Sequence, residues 1–214
     1  MGNWYTWATR PQDIRALQTV IVVIVVFGLF QGNFAIVING VLGLLTTFVP
    51  AILRRDYQIH LDPPLVWWIT IAIILHTLGM VGPYESVWWW DHITHTLSAT
   101  IVAIVGYSVT RAIDEYWERI YLPDDFLIVF TILFTLAAGV LWEVLEFVSR
   151  ELAVLTGQGP FLIQYDVRDS VIDIVFDGIG GVIVAVIGHG RFDRLVESIE
   201  AAIARAHGED DSRR

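Results

Sequence analysis

The 38 residues from Ala16 to Leu53 contain no Asp, Glu, Lys or Arg. A membrane crossing by one α-helix takes about 20 apolar residues, so this stretch has room for two. Backbone polar groups in lipid must be satisfied within the spanning segment or a closed barrel, and an unbroken apolar run of this length selects helices. "QGN" at 31–33 supplies the turn. The expectation is a tight hairpin, Leu17–Phe30 followed by Phe34–Leu53, with Pro50 kinking the second helix near its end. The run continues too far past Arg15 for a signal-peptide h-region, so it reads as a mature transmembrane segment.

The rest of the chain repeats this character. Only 17% of the 214 residues are charged, against about a quarter in soluble domains. Apolar stretches predict four further spans: Leu65–Met80, opened by Pro63 and Pro64; Asp91–Thr110; Phe126–Ser149; and Asp169–Ile187. The charged connector 111–125 is expected to be partly helical. Phe192, Leu195, Val196, Ile199, Ala202 and Ile203 recur at helical spacing, which predicts a surface-lying amphipathic helix. The fold class is therefore an all-α polytopic membrane bundle of about six helices plus that C-terminal helix. The domain division is a transmembrane unit over 1–190 and an amphipathic, acidic tail over 191–214.

Six crossings put both termini on one side. All thirteen basic residues are arginines, and eleven fall on the side that holds the termini, the 54–64 loop and the 111–125 connector. The positive-inside rule then places both termini in the cytoplasm of a multi-pass cell-membrane protein. The net charge of −10 argues against nucleic-acid partners and leaves membrane lipids as the surroundings. An acidic, lysine-free composition suits a high-salt, halophile-like cytoplasm. The absence of cysteine excludes disulfides, thiolate metal sites and thiol catalysis.

Alternating helix directions bring distant polar residues to one slab of the membrane. In "WWWDHITHTL", 88–97, Asp91, His92 and His95 open one helix at its external end. "WEVLEF" places Glu143 and Glu146 in the outer half of the next. Asp169, Asp173 and Asp177 form an i, i+4, i+8 stripe at the start of the last span, with Asp166 before them as a helix cap. Each set projects from one helical face. Insertion scales charge roughly 2.5–3.5 kcal/mol for an Asp at mid-helix, so Glu143 and Asp177, the deepest, most need partners.

Carboxylates with neutral imidazoles are ligands for Zn, Mn, Fe or Mg ions. The candidate metal ligands are Asp91, His95, Glu143, Asp169, Asp173 and Asp177, with Glu146 and His92 as candidate general bases. The competing reading is a water-filled, proton-sharing network that only holds helices together. Other features have simpler explanations. Trp88, Trp89 and Trp90 read as an interfacial aromatic belt, with Trp67 and Trp68 marking the opposite interface. His76 reads as a packed histidine, and His60, His189 and His207 fall at the other side. "DGIGG" at 177–181 reads as a helix-packing surface, and Asn33 as a turn residue. "TGQGP" at 156–160 lacks the strand-to-helix context of a phosphate loop.

Three ordered motifs carry a family resemblance. "WWWDHITHTLSATIVAIVGY", "GVLWEVLEF" and "DVRDSVIDIVFDGIGG" resemble the YjdF-like, DUF2238 family of predicted polytopic membrane proteins, over roughly residues 34–188. Asp91, His95, Trp142, Glu143, Glu146, Asp169, Asp173, Asp177 and Gly180 match position by position; His92 lies outside the matched set. Ser170 stands where the family often has Thr, keeping a hydroxyl. A more distant likeness is to VanZ-like membrane proteins. The resemblance implies a membrane location and a shared polar site, and no particular reaction.

Three functions fit these residues. The first is a metal-dependent enzyme acting on a lipid or isoprenoid head group, by polarising a phosphoryl or ester oxygen and activating water. The second is a non-catalytic membrane scaffold or resistance factor. The third is a cation- or proton-coupled transporter, against which stand the lack of an inverted repeat and of a polar path through the inner half.

Overall fold

The computed structural model describes residues 11–157 and 159–211. Residues 1–10, 158 and 212–214, including the end of the acidic tail, lie outside the described residues. The described elements are α1 (Pro11–Gln31), α2 (Phe34–Thr46), α3 (Val49–Asp56), α4 (Pro63–Gly79), α5 (Pro83–Ser86), α6 (Trp90–Tyr116), α7 (Asp124–Thr156), α8 (Val167–Ile187) and α9 (Asp193–Asp211). The protein is thus all-helical among the described residues. Five spans are long and apolar enough to cross a membrane: Ile14–Gln31, Phe34–Asp56, Trp90–Tyr116, Asp124–Thr156 and Val167–Ile187. α4, with 17 residues, reaches roughly 25 Å at 1.5 Å per residue, the short limit of a crossing.

The predicted hairpin forms as read. Asn33 caps α2 by accepting from the Ile36 N–H at 3.2 Å, so the turn residue is also a helix start. The predicted Pro50 kink is a break: α2 ends at Thr46 and α3 begins at Val49. Proline has no N–H to give to the preceding turn. At the break the Thr47 hydroxyl donates to the Leu44 carbonyl at 2.6 Å. Gln18 of α1 donates to the same hydroxyl at 3.0 Å, which ties the break to the neighbouring helix.

α6, α7 and α8 pack tightly on one another, while α1, α2 and α4 form a second group joined to them through α4 and α6. Small residues set this arrangement. On α8 the buried residues are Asp173, Asp177, Gly180, Gly181, Val184 and Ala185. A Cβ on Gly180 would meet Thr96 O at 2.8 Å and the Cβ of Ala99 at 2.7 Å, both on α6. The glycines therefore bring the two backbones together, as small residues do between membrane helices. The stripe that makes this contact carries Asp177 and Asp173 one and two turns earlier, so close packing and the acidic site share one helical face. α7 repeats the pattern: Leu127, Thr131, Thr135, Gly139, Glu143, Glu146 and Ser149 form its buried stripe.

α9 departs from expectation. Its apolar face is turned onto the bundle instead of lying free at a membrane surface. Leu195 and Val196 are buried, and Leu195 joins Ala103, Ile104, Tyr107, Leu127 and Val184 in one cluster, with Phe192 and Ile199 against it. Arg194 reaches Asp62 at 3.2 Å, Arg205 donates to Tyr57 O at 2.9 Å, and Ser198 accepts from the His60 N–H at 2.8 Å. This helix closes the end of the bundle that holds the 57–62 loop. The 32–33, 80–89 and 159–166 segments form the other end, where the acids and histidines gather.

Candidate functional site

The predicted polar slab exists, and its parts differ in role. His95 is at its centre, 8% exposed. Its Nδ1 lies 3.2 Å from Asp177 Oδ1. A carboxylate accepts, so Nδ1–H donates, and only in the neutral ring would the Nε2 lone pair be free. Nε2 faces Asp91 Oδ1 at 3.7 Å and Glu143 Oε1 at 4.0 Å. A cation-binding imidazole is oriented by a carboxylate on its other nitrogen in the same way. Asp177 has room for this because α7 carries Gly139 opposite it: a Cβ there would lie 3.0 Å from Asp177 Cγ.

Asp91, His95 and Asp173 offer donor atoms that all lie within 4.8 Å of one another. That compares with about 4.2 Å between opposite ligands of a small ion held at roughly 2.1 Å. Asp173, 1% exposed, is held from behind by His92 Nδ1 at 3.2 Å, and the His92 ring stacks on Phe176 at 4.6 Å. Beside the trio, Glu143 is 6% exposed and neither carboxylate oxygen has a hydrogen-bond partner. A buried carboxylate is costly unless paired or bound to a metal, so Glu143 is an open valence aimed at His95.

The remaining predicted residues sit around this centre. Glu146 accepts from Trp142 Nε1 at 2.8 Å and lines a cavity. Asp169 is half-buried in the first turn of α8, outside the trio. Asp166 caps α8 by accepting from the Asp169 N–H at 2.9 Å. Ser170 accepts from Gln164 Nε2 at 3.1 Å, so the hydroxyl ties the loop to α8.

The cavity, about 440 Å³, lies between α2, α4, α6 and α7. Its polar end is formed by His76, Tyr84, Asp91, His95, Glu146 and Asp177. His92 is not among its lining residues, which places it behind Asp173. Four lining side chains, Leu42, Thr46, Ser98 and Trp142, are also exposed. The chamber therefore opens on the side of the bundle, along the seam between α2 and α7.

The sequence reading missed a second polar wall. Asn39 donates to Ala35 O at 2.9 Å and Phe161 O at 2.6 Å. With both amide hydrogens used, its Oδ1 accepts from His76 Nε2–H at 3.1 Å. His76 Nδ1 then accepts from the Tyr84 hydroxyl at 2.8 Å. Tyr84 also lies 3.2 Å from Thr94 Oγ1, one helical turn after Asp91. Burial is the main cause that holds the Tyr84 hydroxyl well above the usual tyrosine range. Tyr165 donates to Tyr84 O at 2.7 Å; burial, with the Asp91 and Asp169 charges, pushes its hydroxyl up to about 12. Asn39 was the available signal, a carboxamide in the middle of an uncharged span. Of the three tryptophans, Trp88 and Trp89 face outward as an aromatic belt would. Trp90 instead turns in, donating to Leu75 O at 3.1 Å. Trp68 likewise bonds inward, to Thr100 Oγ1 at 2.6 Å.

These features define an integral membrane protein: a helical bundle with a buried histidine–carboxylate cluster at one end and a side-opening chamber. The chain belongs to the DUF2238 family, described as a predicted membrane protein, whose model matches residues 14–194. It is similar to an uncharacterized protein of Thermotoga maritima, 22% identical over 168 residues that cover 78% of this chain and 83% of the relative. No solved structure matches. These matches give the VanZ-like likeness no support.

Proposed function

We propose that this protein is a membrane-embedded, metal-dependent hydrolase acting on the head group of a lipid-like amphiphile. The observation that carries the reading is the unpartnered, buried Glu143 carboxylate beside the Asp91–His95–Asp173 trio. One divalent ion would satisfy all four side chains, and carboxylates with a single imidazole suit Mn, Fe, Zn or Mg. Asp177 acts through His95, fixing the ring so that Nε2 points to the ion, and His92 does the same for Asp173. Asp169 stays outside this ligand set.

Such an ion supplies Lewis acidity and an acidified water. The chain's own residues supply the rest. The chamber holds the apolar tail and sets the head group against the cluster. Glu146, its Oε1 fixed by Trp142, takes a proton from the attacking water. Water oxygen bonds to the electrophilic carbon, the bond to the leaving oxygen breaks, and the proton passes from Glu146 to that oxygen. The positive-inside arrangement of arginines supports an external-face site, with both termini cytoplasmic.

The test is turnover of membrane amphiphiles in proteoliposomes after chelation and reloading with one metal at a time. Activity is expected only in reloaded protein and is lost in Asp91→Asn. Turnover indifferent to chelation and to Asp91→Asn would overturn the assignment.

A further inference from the structure

We propose that the chamber takes one chain of an amphiphile whose head group is an uncharged ester, with the released alcohol as its product, and rejects phosphate heads. The inference rests on the functional reading above and narrows its substrate class.

The first observation is charge. Asp91, Glu146 and Asp177 line the polar end, with Glu143 and Asp173 directly behind. Among the described residues no arginine lines the chamber, and the chain has no lysine. Arg150 and Arg168, the two arginines at this end, are turned away: Arg150 lies 3.9 Å from Glu151 and over the Phe147 ring, and Arg168 is exposed. Phosphate sites recruit Arg, Lys or helix N-termini because a doubly charged head cannot be desolvated without compensation. One divalent ion among five carboxylates has no charge to spare for it. A second cation in the head group would compete with that ion for the same carboxylates. An uncharged head avoids both penalties.

The second observation is the hydrogen-bonding wall opposite the cluster. Asn39, His76, Tyr84 and Thr94 form a neutral chain whose hydrogens are used on one another and on backbone carbonyls, which leaves oxygen lone pairs suited to accept from a hydroxyl such as that of the released alcohol. The third is shape. Beyond the polar end the chamber is walled by Leu42, Ile69, Ile73, Ile101, Val102 and Ala138. At about 440 Å³ it sits at the lower end of the roughly 300–1,000 Å³ usual for ligand pockets. The opening beside α2 and α7 lets that one chain enter from the side, with the remainder of the molecule staying in the bilayer.

The test uses purified full-length protein, loaded with metal, and three probes with one identical saturated chain bearing a hydroxyl, a phosphate or a trimethylammonium head. Each competes against a radiolabelled long-chain alcohol. The alcohol is expected to displace the label with the phosphate and ammonium probes at least about tenfold weaker, because like-charge or competing-charge burial is heavily penalised. Ala138→Phe and Val102→Phe, which fill the apolar wall, are expected to abolish label uptake while metal content by elemental analysis stays at wild type. A phosphate or ammonium probe equal to the alcohol, or label uptake unchanged in both filled variants, overturns the inference. Metal-free protein under loading conditions overturns the parent reading instead, so the two failures are separable.

Discussion

Replacing Glu143 by Gln should change stability in opposite directions with and without metal. Glu143 is 6% exposed and both of its oxygens lack partners. In chelated protein its carboxyl is buried with His95 Nε2 no nearer than 4.0 Å, and a buried unsatisfied polar group costs about 1–3 kcal/mol, more when charged. Gln keeps the shape and its amide stays unpaired, so what it recovers is the excess carried by any charge, taken as about 1–3 kcal/mol. For a chain of this length 1 kcal/mol moves Tm by roughly 2–4 °C, so chelated Glu143→Gln should melt some 2 to 12 °C above chelated wild type. With metal the order reverses. Wild type gains binding free energy as RT ln(1 + [L]/Kd), and the variant has lost an anionic ligand, so its gain is smaller. Thermal melts in detergent, with chelator and with each of Mg, Mn, Zn and Fe, measure both arms. A shift of the same sign and size in both conditions would refute the reasoning, because Glu143 would then be a packing residue indifferent to any ion.

Three further outcomes are expected. Asp177→Asn leaves the ligands in place but loosens the His95 tautomer, so metal affinity should fall about 10–100-fold, read by competition with a chromophoric chelator; unchanged affinity would show that Asp177 does not orient the ring. Gly180→Ala forces a methyl against Thr96 O and Ala99 and should destabilise by about 1–3 kcal/mol, seen as a lower Tm; an unchanged Tm would mean that α6 and α8 do not need their close approach. Tyr165, whose hydroxyl is raised to about 12, stays protonated in the folded protein while the unfolded chain ionises near 10. Its contribution is therefore intact below about 10 and declines as pH rises toward about 12. Alkaline absorbance titration should show a late-ionising tyrosine that disappears in Tyr165→Phe.

Much of the architecture was legible because lipid leaves the chain few choices. The uncharged run of 38 residues dictated a hairpin, and alternating helix directions then carried Asp91, His95, Glu143 and Asp173 to one end without any knowledge of contacts. Helical spacing showed which acids share a face. It did not show which acids share the trio and which stand behind it: Asp173 and Asp177 sit on the same stripe, yet one belongs to the trio and the other meets the far nitrogen of His95. That distinction depends on a crossing geometry set by Gly180 and Gly139. Periodicity also misjudged α9, since an amphipathic face reads the same whether it meets lipid or protein. The wall of Asn39, His76 and Tyr84 joins three separate elements, and only Asn39 was conspicuous by polarity in an apolar span.

The account stands on a bound divalent ion, and elemental analysis of purified wild type beside His95→Ala tests that most directly. His95 is flanked by Asp91, Glu143 and Asp177, and in the proposed site its Nε2 would meet the ion. The account predicts one divalent metal per chain in wild type and its loss in His95→Ala. Wild type without stoichiometric metal, or equal metal in both proteins, would contradict it and leave the cluster as a packing network.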